Sequence, residues 1–167
     1  MSGENIGLEA QYELSELIAG ELCGAIPEGA DEIRHVTSMF VQYSQSMTLL
    51  FRDGEEVDSL SSVGSVKENV RSLRKAMYSP EGGTWFSAVF RVFRDGRMKA
   101  SFNYDEEPVV TDVRGQPREI MPALYAKDLE VFPRSAKATP AWLAAKVEDG
   151  RAQIARIEAE ERVKHAE

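Results

Sequence analysis

Residues 82–105 read GGTWFSAVFRVFRDGRMKASFNYD, two apolar runs either side of Asp95-Gly96. Asp-Gly between alternating strands is a strong short-range hairpin signal, because both positions tolerate the positive φ angles of a type I′ turn. In the second run Met98, Ala100, Phe102 and Tyr104 alternate with Lys99, Ser101, Asn103 and Asp105, so one face is expected to be buried and the other wet. The first run, 84–93, is apolar on nearly both faces and reads as a strand central in its sheet. A two-stranded hairpin is marginal in water by itself. The rest of the chain must therefore widen the sheet and cover it.

It has the elements to do so. Leu14, Leu17, Ile18 and Leu22 form an apolar stripe that predicts a helix over 8–23, ended by Gly24 and Pro27. Residues 33–43 and 46–52 are rich in β-branched, aromatic and other apolar side chains and read as strands. Asp53-Gly54 then turns into a short third strand, EEVDSL. Val66, Val70, Leu73 and Met77 predict a second helix over 66–78, with Ser65 as N-cap and Glu68 as its capping-box partner. Beyond Tyr104 the polar stretch 105–119 reads as loop, and a helix is predicted over 121–131 with Pro122 in its first turn. Residues 133–140 read as a linker, and a last helix over 141–164 becomes strongly charged after Asp149. Short turns inside each group of strands imply antiparallel pairing. The expected fold is α+β: one domain over 1–167 with a mainly antiparallel sheet of about five strands and helices packed on one face. Its core is placed at about 8–132, with a C-terminal helix and charged tail over 141–167.

Composition restricts what such a fold can do. At 43% hydrophobic and 29% charged the chain is of the ordinary globular kind, and no apolar stretch approaches the roughly 18–20 residues of a membrane helix. The first twenty residues have neither a basic n-region nor a clean apolar h-region, so a signal peptide is not expected. Cys23 is the only cysteine, which rules out an internal disulfide and reads as a core thiol in a reducing cytoplasm. The net charge of −8 disfavours direct binding to phosphate backbones and favours a basic partner.

Catalytic patterns are missing. His165 sits in the charged tail, and His35 lies on a predicted strand beside Arg34. There is no G-x-S-x-G, no H-E-x-x-H and no phosphate-cradling loop, and the acidic run Asp53, Glu55, Glu56, Asp58 lacks the spacing of a calcium loop. No cofactor or metal is expected. Arg71, Arg74 and Lys75 read as the solvated face of the second helix. What remains is surface. Carboxylates cluster at element ends: Glu28, Asp31 and Glu32; then Asp53, Glu55, Glu56 and Asp58; then Asp105, Glu106 and Glu107. Gathered on one rim, they would offer an acidic face, with Tyr104 or Trp85 as an aromatic anchor. Trp85 and Phe102 read more simply as core.

One resemblance adds to this. Trp85, the Asp95-Gly96 turn and the closing Phe102-Asn103-Tyr104-Asp105, preceded by a helix, an early hairpin and a second helix, are similar to the YezG-like immunity proteins of bacterial polymorphic toxin systems. The similarity is carried by residues 65–107; elsewhere it lies in the order of elements. The stretch 106–119 and the tail beyond Pro140 look like additions to that pattern. The resemblance implies a cytoplasmic, non-enzymatic α+β protein that binds and blocks a cognate toxin, often a nuclease domain. The expected contacts are Asp53, Glu55, Glu56, Tyr104, Asp105, Glu106 and Glu107. Two other classes stay open on the residues alone: a secretion chaperone or adaptor for an effector, and an enzyme built around His35.

Overall fold

The computed structural model describes residues 2–166, with side chains from Gly7 onward. The order is α1 (Ser2–Gly24), β1 (Glu32–Met39), β2 (Ser44–Arg52), β3 (Glu55–Leu60), α2 (Val66–Ala76), β4 (Ser87–Phe93), β5 (Met98–Asn103), β6 (Val110–Thr111), β7 (Pro117–Arg118), α3 (Pro122–Val131) and α4 (Ala141–His165). Five strands form one antiparallel sheet in the order β3-β2-β1-β4-β5, which makes the chain α+β. The early hairpin and the 82–105 hairpin are thus joined edge to edge through β1 and β4. β1 is the middle strand and β4 lies beside it, interior but not central.

Period-2 patterning decides what each sheet face meets. Ile33, Leu50, Ala88, Phe90 and Val92 point to one side and pack with Ile18 and Leu22 of α1 and Val70 and Leu73 of α2. α1 and α2 cover that face and lie against each other. A second cluster sits beyond the end of the sheet, where Phe40 and Phe86 meet Tyr125 of α3 and Leu143 and Val147 of α4. The two helices approach closely at Gly150, where an added Cβ would strike the Pro122 carbonyl and lie 2.9 Å from the Ala126 Cβ. The first half of α4 is therefore core, not appendage.

A buried ion pair ties the two clusters together. Arg74 of α2 donates to both carboxylate oxygens of Asp128 on α3, at 3.0 and 2.7 Å, and through Nε to the Trp85 carbonyl at 2.7 Å. Asp128 also accepts the Val41 backbone N–H at 2.8 Å. Arg74 is 2% exposed, so it does not belong to the solvated face the sequence suggests; only Arg71 and Lys75 do.

Several local expectations change. Asp53-Gly54 has positive φ at both residues, 51° and 83°, as a type I′ turn requires. At Asp95-Gly96 only Gly96 does, at 87°; the Phe93 N–H bonds to Arg97 O and the Gly96 N–H to Phe93 O, which is a longer turn with a glycine bulge. Ser65 makes no side-chain cap and the capping box does not form. Its N–H is instead taken by Glu21 of α1, at 3.0 Å. Ala100 is exposed because β5 is an edge strand. Within 105–119, the segments β6 and β7 pair as a small hairpin. A short 3-10 turn, Ala136–Ala138, interrupts the linker.

Candidate partner-binding surface

The predicted contact residues do not share one rim. β2–β3 and β4–β5 both turn at the lower end of the sheet, whereas β5 runs upward to Tyr104. The strand order also puts β3 and β5 on opposite edges. Asp53, Glu55 and Glu56 therefore stand at the corner diagonal to Tyr104, Asp105, Glu106 and Glu107. The single acidic rim expected from the sequence is not formed.

The two corners differ in character. At the β2–β3 corner the Asp53 N–H bonds to Asp31 Oδ2 at 2.9 Å, which brings the Glu28–Asp31 turn beside the hairpin. Glu28, Asp31, Arg52 and Arg94 line one shallow depression there. Arg94 spends its guanidinium on the Pro27 and Ala30 carbonyls. Glu55, Glu56 and Asp58 lie exposed along the free edge of β3. Six carboxylates against Arg52 and Arg94 leave a strongly negative corner open to solvent.

The other corner is structural. The Tyr104 carbonyl accepts from Arg134 at 2.9 Å, and the Asp105 carbonyl accepts the Trp142 indole N–H at 2.7 Å. Glu107 lies 3.5 Å from Lys146, and Asn103 holds both the N–H and the carbonyl of Glu106. Tyr104 is half-buried against the main core, and burial raises the pKa of its hydroxyl. These residues fasten the end of β5 to α4 and the linker.

Sequence reasoning missed a third feature, the sheet face opposite α1 and α2, which only the β6 segment touches, at its upper end, through Ser38 and Gln45. Strand register fixes its rows. Leu49, Arg34, Arg91 and Lys99 stand side by side across β2, β1, β4 and β5, and above them run Met47, Val36, Val89 and Ser101. Below, Glu32 lies between Phe51 and Phe93. Glu32 is buried and binds both Arg34 and Arg91, the latter at 2.7 Å. The Arg91 hydrogen bond above all, with the pull of both guanidiniums, holds the Glu32 carboxyl down to about 2. The Arg34 guanidinium lies 3.7 Å from the centre of the Phe51 ring. The signal was present as Glu-x-Arg on a strand, which places both side chains on one face.

His35 is closed off from solvent. It lies on the helix-covered face, 5% exposed, with Nδ1 2.9 Å from Thr48 Oγ1 and Nε2 buried without a partner. Burial holds its pKa down to about 4. The unfolded chain binds this proton near 6.5, so neutral His35 contributes stability fully above that pH and loses it as pH falls toward 4. Glu32 is ionised in both states across most of this window, so His35 dominates it. Urea unfolding should lose about 3 kcal/mol of stability from pH 7 to pH 4 through this group, and much of that slope should vanish in His35→Gln. An unchanged slope in the variant would assign the effect elsewhere.

Cys23 is half-buried, its Sγ 3.7 Å from the Phe93 carbonyl. Among the described residues no cluster of three or more His, Cys, Asp or Glu is placed to hold a metal, and no helix is long and apolar enough to cross a membrane. No family profile matches the chain, and no curated protein sequence matches it.

Proposed function

We propose that this chain is an immunity protein, a stoichiometric inhibitor that binds a toxin with a basic surface in the cytoplasm of the cell that makes both. The observation that carries the reading is the open acidic corner formed by the Glu28–Asp31 turn and the β2–β3 hairpin, with Asp53, Glu55, Glu56 and Asp58. Nuclease domains grip phosphate with Lys and Arg, and an acidic protein can occupy the same groove by charge-assisted pairing. The hairpin is suited to this because a type I′ turn holds its tip rigid, so little entropy is lost on docking. In this reading the chain acts by occupancy, performs no chemistry of its own and does not bind nucleic acid directly.

A second reading, escort of a secreted effector, is favoured by the outer part of α4, where Ile157 and Val163 are exposed. Capture from native lysate at moderate salt, followed by expression of the captured protein's C-terminal domain, separates the two. Immunity predicts that the domain is toxic alone and harmless when this chain is co-expressed. A captured protein that is harmless alone and found in the medium would favour the escort reading.

A further inference from the structure

A ridge of cations runs along α2 against the general charge of the chain, which is −8. Lys67, Arg71 and Lys75 are exposed and spaced four residues apart, so they stand one above another on the helix. Like charges at this spacing cost stability. None of the three makes an ion pair among the described residues. The ridge ends at a cavity of about 290 Å³ between α2, the end of β1 and the C-terminal end of α3, with Arg71 and Lys75 among its lining residues.

The rest of the lining is mostly apolar. Met39 and Phe40 are each 1% exposed and belong to its inner part, whereas Val41 and Val131, 41% and 54% exposed, stand at its mouth with Phe132 beside them. Arg74 lines the cavity too, although it is 2% exposed, and its guanidinium carbon lies 5.1 Å from the centre of the Phe132 ring. Its side chain makes three hydrogen bonds, two to Asp128 and one to the Trp85 carbonyl. A guanidinium has five N–H groups, so two have no acceptor among the described residues. A buried donor without an acceptor is costly, and the cavity beside it is where one can enter.

These features define the occupant. A cation is repelled by Arg71 and Lys75. An inorganic anion leaves the valines and Phe132 wet, and an uncharged apolar molecule leaves the donors unanswered. We infer that the cavity between α2 and α3 binds a small carboxylate with an apolar body, an aryl- or short acyl-carboxylic acid. The carboxylate lies toward Arg71 and Lys75, as charge-assisted bonds require, and the body lies against Val131 and Phe132. The volume is at the small end of ligand sites and suits one such molecule. Met39 and Glu32 are the two ends of β1, so the cavity and the acidic β2–β3 corner lie at opposite ends of the sheet. The inference is therefore independent of the proposed inhibitor role.

Phenylacetate, phenylacetamide and phenethylamine share a ring and differ in charge. Each can be titrated to about 20 mM into the isotope-labelled full chain at low salt, with binding read from its amide resonances. Phenylacetate should shift the Val41 amide, which lies at the cavity and donates to Asp128, and should saturate with a Kd on the order of 1 mM, as about ten non-hydrogen atoms allow. Phenylacetamide should bind at least about fivefold more weakly, and phenethylamine should not saturate. Arg71→Glu with Lys75→Glu changes only exposed side chains and should weaken phenylacetate at least about tenfold. Arg151→Glu with Arg156→Glu, the same charge change on the exposed part of α4, should leave it within about twofold. The absence of a saturating shift at Val41, an equal response to all three compounds, or equal affinity in the two double variants would overturn the inference.

Discussion

Replacing Asp128 with Ala should cost about 3–5 kcal/mol of unfolding free energy, because it leaves the Arg74 guanidinium buried without its counter-charge. The carboxylate is itself shut off from water. It takes two hydrogen bonds from Arg74 and the backbone N–H of Val41, and it is 1% exposed. A protein of this size has about 5–15 kcal/mol in total, so the variant should unfold at much lower urea. The chemistry allows a sharper check. Arg74→Met with Asp128→Leu removes both charges at similar volume and should recover most of the loss. If Asp128→Ala behaved like a surface substitution, the pair would not be what joins α2 to α3.

Trp85→Ala should cost a similar amount, about 3–5 kcal/mol, by opening a cavity in a core that cannot collapse to fill it. The indole is fully buried, with the Phe102 ring 5.7 Å away and the Arg74 guanidinium 5.9 Å from its centre. Its Nε1 has no hydrogen-bond partner, so the nitrogen adds no stability of its own. Trp85→Phe should therefore lose far less, about 1 kcal/mol, in the same urea series. Equal losses for Ala and Phe would mean that the N–H is satisfied after all. Either way Trp85 is a packing residue; the core reading of it holds over the anchor reading.

Strands were easy to read because each carried its own evidence: alternation in 98–104, β-branched density in 33–43, and Asp-Gly at both turns. Helix α2 was legible from four apolar positions and α3 from Pro122. Three of the misreadings share one cause, which is that the deciding partner lies far away in sequence. Arg74 looks solvated until Asp128, 54 residues on, is brought against it. Ser65 and Glu68 make a capping box on paper, but Glu21 reaches across from α1 and takes the Ser65 N–H. The acidic groups looked poolable because sequence does not say which strands are edges. With β1 beside β4, the hairpin at 53–56 and the segment 104–107 fall at opposite corners. Both keep exposed carboxylates, but at the second Arg134 and Lys146 stand beside Asp105 and Glu107, and Arg134 and Trp142 bind the Tyr104 and Asp105 carbonyls.

In the proposed function the β2–β3 corner steers a basic toxin onto this protein. The direct measurement is the association rate with the captured toxin domain, taken at several salt concentrations. Glu55→Lys with Glu56→Lys should slow association by about 10- to 100-fold at low salt and flatten its salt dependence. Glu106→Lys with Glu107→Lys should leave the rate within about twofold, since that corner is diagonal to the β2–β3 hairpin and Lys146 already stands beside Glu107. Equal slowing by both pairs, or none by the first, would contradict the claim.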